Sequence, residues 1–104
     1  MIVYVHDIVE DSFSPIFGKL LWQEVEKNGN VVRESEITLD FYGIDGFTTL
    51  FFNAMFIEIK EKYAKEQALK IIDKIIIKNI GDNDVKTFYR SQRGIKSKID
   101  PENV

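Results

Sequence analysis

The chain has 104 residues, of which 44% are hydrophobic and 30% are charged. These values are typical of one globular domain with its own core, so we expect neither a second domain nor a disordered chain. Fourteen Lys and Arg residues against 17 Asp and Glu give a net charge of −3, which argues against nucleic acid binding over the whole surface. The absence of Cys excludes thiol chemistry, and the single His6 excludes a His-rich metal site.

The N-terminal segment does not have the pattern of a signal peptide or a membrane span. Its apolar residues are interrupted by His6, Asp7, Glu10 and Asp11, and no basic region precedes them. Every other apolar run is far shorter than the roughly 20 residues that a membrane helix requires. We therefore expect a cytoplasmic protein that makes no contact with a membrane.

The first half of the chain predicts a strand, a helix and a second strand. Residues 2–9 are rich in β-branched and aromatic side chains, which favour a strand. Ser14 and Pro15 are typical of a helix start, and Asn28-Gly29 of its end. Residues 37–41 alternate apolar and polar side chains and predict the second strand.

The second half predicts two further helices around a third strand. A helix is predicted to start at Thr48 or Thr49, and its first half is so apolar that we expect it to be buried nearly all round. The isoleucine-rich residues 75–77 predict a buried strand. The last helix is predicted to begin after Gly81 and to end at Gly94.

This β-α-β-α-β-α order predicts a single small α/β domain with a mixed or mainly parallel sheet packed by helices. We assign the domain to residues 1–95. Residues 96–104 are expected to form a mobile C-terminal tail, because they contain Pro101 and few apolar side chains. Ala68 and Ile72 could belong to the helix before the third strand, so the sequence does not define the residue at which that strand starts.

Catalysis has little support in the sequence. No nucleophile is paired with a base in a recognisable motif. Asp7, Asp40 and Asp45 could lie at one rim of the sheet, but Asp at strand ends and turns more often accepts hydrogen bonds from the backbone. We therefore expect no enzymatic activity, no cofactor and no metal.

The turn from Gly43 to Thr49 is a candidate anion site. Glycines before a helix start can present backbone N–H groups to a phosphate, although neither a P-loop nor a dinucleotide fingerprint is present. The simpler interpretation is that Gly43 and Gly46 allow the chain to turn between the strand and the helix. For Thr48 and Thr49, helix capping worth about 1 kcal/mol competes with phosphorylation, which adds roughly two negative charges.

Two surfaces are candidate interfaces. Trp22 follows Leu21 on the first helix, so part of the indole is predicted to be exposed, and exposed aromatic side chains make good interface anchors. Core packing is the competing interpretation. The last helix and the residues after it carry a basic cluster in which Arg90 and Arg93 are the candidate interface residues, accompanied by Lys86, Lys96 and Lys98.

Residues 37–56, ITLDFYGIDGFTTLFFNAMF, resemble the STAS-like family of small bacterial domains of unknown function. That family is similar to the STAS domains of anti-sigma-factor antagonists, where a partner kinase phosphorylates a hydroxyl in an Asp-Ser-Ser-Gly type motif. The Ser pair falls on Thr48 and Thr49, and the motif's Asp is matched by Asp45 with a shifted gap. Phe47 and Leu50 depart from the motif.

The resemblance implies a STAS-like fold and a non-enzymatic regulatory module that binds a protein partner, such as an ATP-binding kinase-like regulator. It places the partner-binding or phospho-acceptor site at the helix start, on Asp45, Gly46, Phe47, Thr48 and Thr49. One alternative is a small inhibitor or accessory protein that occludes its partner. A second is a nucleotide-responsive domain that uses the Gly43 to Thr49 turn. The sequence leaves a homodimer open.

Overall fold

Three parallel strands form the sheet, in the order β1-β2-β3. In the computed structural model, which describes residues 1–103, β1 spans Ile2–Tyr4, β2 spans Ile37–Asp40 and β3 spans Ile75–Lys78. The central strand β2 pairs with both neighbours, so that Leu39 lies opposite Val3 and Ile77. The parallel sheet agrees with the predicted α/β class.

Four helices occur within the described residues. They are α1 (Pro15–Asn28), α2 (Thr49–Lys62), α3 (Lys65–Asp73) and α4 (Asp82–Ile99), with short 3-10 turns at Val5–Asp7 and Pro101–Asn103. Helix α2 contacts the three other helices. No helix within residues 1–103 is long and apolar enough to cross a membrane.

One face of the sheet supplies part of the core. Side chains on successive strand residues point to opposite faces, and Val3 and Leu39 are buried while Ile2 and Tyr4 are more than half exposed. An aromatic cluster extends this core towards α2 and α4 through edge-to-face and stacked ring contacts among Phe41, Phe47, Phe51, Phe52, Phe56 and Phe88.

Two details of the predicted element order are wrong. Two helices, not one, separate β2 from β3, because Tyr63 and Ala64 adopt extended backbone conformations that interrupt the helical ladder between α2 and α3. Ala68 and Ile72 accordingly belong to α3. Strand β1 is also shorter than predicted, since the chain turns into a 3-10 helix at Val5.

The predicted end of the last helix at Gly94 is wrong. Gly94 lies inside α4, where a helical glycine costs only about 1 kcal/mol relative to alanine. The part of α4 after Gly94 is held in place by packing, because Ile95 is buried and Ile99 packs against the core. Asp100 also forms a salt bridge of 3.3 Å with Lys65. Val104, the end of the predicted tail, lies outside the described residues.

The predicted exposure of Trp22 is wrong. Its side chain is fully buried in the core together with Leu21 and Val25 on the same helix. Its indole N–H finds no hydrogen-bond acceptor within residues 1–103. Trp22 therefore belongs to the core and does not provide an exposed interface anchor.

Candidate functional site

The loop between β2 and α2 makes a compact turn at the end of the central strand. Gly43 and Gly46 have φ angles of +87° and +74°, a left-handed conformation that glycine adopts without steric cost. This explains both glycines of the GIDG segment by backbone geometry. The turn then delivers Thr48 and Thr49 to the start of α2.

Asp84 of α4 holds this turn in place. Its carboxylate accepts hydrogen bonds from the backbone N–H groups of Gly46 at 3.0 Å and Phe47 at 2.9 Å. Asp84 is only 5% exposed, and a buried carboxylate must be paired in this way. Asp84 lies in the first turn of α4, and Gly81 occupies the cap position of that helix.

Thr48 caps helix α2 and ties it to the segment before α1. Its Oγ1 accepts from the backbone N–H of Phe51 at 3.1 Å and donates to the carbonyl oxygen of Phe13 at 2.8 Å. Its own N–H donates to the carbonyl oxygen of Ser12 at 3.1 Å. The capping interpretation of Thr48 therefore accounts for the contacts of its hydroxyl.

Thr49 is in a different environment. Its side chain is half-buried, and within residues 1–103 its hydroxyl makes no hydrogen bond to protein. It lines a groove of about 210 Å³ between α2 and α4. Of the two threonines, Thr49 thus has the less engaged hydroxyl.

Of the other three residues predicted for this site, two are exposed and one is buried. Asp45 and Gly46 are exposed on the turn. Phe47 is only 5% exposed and its ring packs against Phe41 and Phe51. Phe47 therefore supports the turn from inside, and it does not present a surface for a partner.

Four backbone donors of the turn are already in use. The N–H groups of Gly46 and Phe47 bind Asp84, that of Thr48 binds Ser12, and that of Ile44 binds the carbonyl oxygen of Phe41. A phosphate that used the N–H groups of Gly46 and Phe47 would have to displace the Asp84 carboxylate. These two donors are therefore not open to a nucleotide at the Gly43 to Thr49 turn.

Exposed apolar side chains surround the start of α2. Phe13, Ile16 and Leu50 are 58%, 69% and 61% exposed. The expectation that the first half of α2 is buried nearly all round is therefore wrong at Leu50. Ile16 also lines a shallow groove of about 340 Å³ with Ala54 and Ile57 of α2.

We call Phe13, Ile16, Leu50, Ala54 and Ile57 the apolar patch. Sequence reasoning did not single out these residues as a surface. The available signal was the spacing of Leu50, Ala54 and Ile57, which form one stripe of α2 on a different side from the fully buried Phe52, Met55 and Ile59.

The two basic candidates occupy different positions on α4. Both are exposed, but Arg90 lines the α2–α4 groove together with Thr49 whereas Arg93 does not. Lys98 lines the same groove. The structure thus brings together two parts of the sequence that were assigned to separate candidate sites.

A second pocket lies at the carboxyl ends of β1 and β2, where open α/β sheets commonly bind ligands. It measures about 350 Å³ and includes Asp7 and Asp40, but not Asp45. The Asp40 carboxylate accepts hydrogen bonds from the N–H of Tyr42 and the side chain of Asn79, which hold its pKa below the usual value. Asp40 is therefore ionised and accepts hydrogen bonds at the end of its strand. This is the role that the sequence analysis gave as the more common one for Asp at strand ends and turns.

No group of three or more metal-ligating side chains occurs in the part of the chain that the structure describes. No curated protein and no solved structure matches the chain. Residues 18–85, which contain all but the first three residues of α1, then β2, α2, α3, β3 and the start of α4, match the STAS-like domain of unknown function, DUF4325. The match covers well over half of the chain, so the protein belongs to this STAS-like family.

Proposed function

We propose that the protein is a non-enzymatic regulatory module that binds a protein partner through the start of α2. The observation that carries the proposal is the apolar patch beside Thr48 and Thr49. Phe13, Ile16 and Leu50 are each more than half exposed and Ile16 lines a groove with Ala54 and Ile57, and exposed apolar side chains grouped on a small domain commonly mark an interaction site.

Four of the five patch residues lie on helices α1 and α2, which suits a docking surface. The Thr48 hydroxyl joins the α2 start to the backbone of Phe13, and α1 and α2 pack closely along their length. A partner therefore meets a preformed surface and loses little conformational entropy of this chain on binding. A suitable partner would have an apolar surface complementary to the patch. An ATP-binding kinase-like regulator is our leading candidate.

Phosphorylation of Thr49 is our proposal for how binding is regulated. The Thr48 hydroxyl is occupied as a cap, so modifying it would cost two hydrogen bonds. Thr49 lies next to Leu50 of the patch, and a phosphate there adds roughly two negative charges at the edge of an apolar interface. Mass spectrometry of the protein from its native host, with a peptide covering Thr49, tests this point; an unmodified peptide under all growth conditions contradicts it.

The docking surface is tested by affinity capture with paired variants. We expect Ile16→Gln/Leu50→Gln to lose a partner that the unchanged protein captures, because two large apolar side chains leave the interface. Both positions are exposed in the first turns of helices, so the variant should remain folded. Circular dichroism checks this.

Val32→Gln is the matched control. Val32 is 44% exposed and lies beyond the C-terminal end of α1, and that end is about 18 Å along the helix from Ile16. It should keep the partner. Equal capture by the unchanged protein and Ile16→Gln/Leu50→Gln would rule out the patch as the docking surface, and loss in Val32→Gln as well would show that the effect is not local.

The two alternatives differ in support. An inhibitor or accessory protein that occludes its partner would use the same patch. Two results would distinguish it from the leading proposal, namely the identity of the captured protein and a capture that Thr49→Glu leaves unchanged. The nucleotide-responsive alternative has less support, because three of the turn's amide donors already bind Asp84 and Ser12. A thermal shift with ATP or GTP tests it.

A further inference from the structure

We propose that the groove between α2 and α4 is a binding site for a phosphate monoester group. This goes beyond docking at the apolar patch, because it concerns a second concavity, which shares only Ile57 with the patch, and a different kind of ligand. The groove measures about 210 Å³. The phosphate can come from a free small molecule or from Thr49 itself when that residue is modified, and the experiment below distinguishes the two sources.

The polar groups of the groove are suited to an anion. Arg90 and Lys98 bring two positive charges, and Thr49, Asn53 and Ser91 bring neutral polar groups. The Ser91 hydroxyl donates to Oδ1 of Asn53 at 2.6 Å, so the amide nitrogen of Asn53 is left as a donor. No carboxylate lines the groove, although the chain as a whole has a net charge of −3.

The two cations are available for a ligand. Neither Arg90 nor Lys98 takes part in any of the salt bridges formed within residues 1–103, whereas the neighbouring Lys96 is paired with Asp73 at 2.7 Å. A phosphate monoester carries between about −1.5 and −2 charges at neutral pH. It therefore matches the two cations better than a single carboxylate does.

The start of α2 supports the same charge preference. Thr49 is the first residue of this 14-residue helix, and the first turn carries no acidic side chain of its own. The helix dipole favours negative charge at that end. The apolar side chains of Ile57 and Ile95 at the groove give the non-phosphate part of an ester a surface to contact.

The first arm of the test titrates the purified protein with inorganic phosphate at low ionic strength and follows backbone amide NMR signals. We expect saturable shifts at Thr49, Asn53 and Ser91, and an affinity at least about tenfold lower in Arg90→Gln/Lys98→Gln, since two charge-assisted contacts are lost. Arg93→Gln is the matched control. It removes one exposed positive charge from the same helix outside the groove and should change the affinity little.

The second arm uses protein carrying phosphothreonine at position 49 and measures the second phosphate pKa by 31P NMR. Contact with Arg90 and Lys98 should lower that pKa relative to the same phosphoprotein with Arg90→Gln/Lys98→Gln. Success in the first arm identifies a free phosphate ligand, and success in the second identifies Thr49 as the source. Both arms use isolated protein without the docking partner, so their outcome does not depend on the apolar patch.

The proposal is overturned if neither arm gives its expected result. In the first arm, this means that inorganic phosphate gives no saturable shifts, or that Arg93→Gln lowers the phosphate affinity as much as Arg90→Gln/Lys98→Gln does. In the second arm, it means that the second pKa of the phosphothreonine is the same with and without the two cations.

Discussion

Asp84 connects the start of the last helix to the turn that precedes α2. Its two carboxylate oxygens accept from Gly46 and Phe47, and the Phe47 ring beneath them is part of the aromatic core. The turn that carries the candidate docking site is therefore positioned by a side chain from a distant part of the chain. Local sequence around the turn contains no sign of this contact.

Replacing Asp84 should destabilise the fold strongly. Asp84→Ala removes the acceptor for two N–H groups, and that of Phe47 is buried, so we expect a loss of about 2–4 kcal/mol in the free energy of unfolding. Asp82→Ala is the control, because Asp82 is exposed in the same first turn of α4 and should cost less than about 1 kcal/mol. Urea denaturation of both variants measures the difference. Similar losses would show that Asp84 acts only through the helix dipole.

The neighbouring threonines should differ in stability although their sequence positions are nearly equivalent. Thr48→Ala removes the cap of α2 and the hydrogen bond to Phe13, so we expect a loss of about 1–2 kcal/mol. Thr49→Ala removes no hydrogen bond within the described residues and should change the free energy of unfolding by less than about 0.5 kcal/mol. Thermal and urea unfolding provide the comparison. A larger loss for Thr49→Ala would contradict the assignment of Thr48 as the cap.

At the scale of elements, α1 and α2 approach each other at Gly18. A Cβ atom at this position would collide with the backbone carbonyl of Phe51, and Ala54 is also close. Gly18 therefore has a packing role near the start of α1, within a helix where glycine is otherwise unfavourable. The close contact places Ile16 of α1 beside Ala54 and Ile57 of α2 in the apolar patch.

The two helical glycines provide a matched test of this packing. Gly18→Ala should destabilise the protein by about 1–3 kcal/mol, because the helices must move apart to admit the methyl group. Gly94→Ala should instead stabilise it by about 0.5–1 kcal/mol, since an added Cβ there meets no atom within 4 Å and alanine is the better helix former. Equilibrium unfolding gives both values. Stabilisation by both substitutions would contradict a close contact between α1 and α2.

Sequence patterns predicted elements better than their boundaries and surfaces. The three strands, α1 and the start of α2 follow from local signals such as Pro15, the alternation over residues 37–41 and the Thr pair. The break at Tyr63 could not be predicted in this way, because the Tyr63 side chain is held by a hydrogen bond to Glu26 of α1. Burial of Trp22 likewise depends on which face of α1 meets α2, a tertiary choice that helical spacing alone does not specify.

At the scale of the whole molecule, the candidate sites lie on surfaces that several elements share. The apolar patch combines the segment before α1 with α1 and α2, and the α2–α4 groove adds the last helix. Helix α2 is common to both and contacts the three other helices. Thr49 lines the groove and is next in sequence to Leu50 of the patch, and the proposed regulation at this residue rests on that position.

The C-terminal segment gives a final test at this scale, because the sequence and the structure lead to different expectations for it. A chain ending at residue 95 loses the packing of Ile99 and the salt bridges Lys96–Asp73 and Lys65–Asp100. We expect its free energy of unfolding to fall by about 1–2 kcal/mol, mostly from the partial burial of Ile99, since exposed ion pairs contribute little.

A chain ending at residue 100 is the control for this truncation. It keeps Ile99 and both salt bridges, so its urea midpoint should equal that of the full chain within error. If the chain ending at residue 95 is also as stable as the full chain, residues 96–100 contribute nothing to the fold and the tail predicted from Pro101 and the low apolar content describes them correctly. A loss confined to the shorter chain instead makes the last turn of α4 part of the domain, and with it the Lys98 side of the α2–α4 groove.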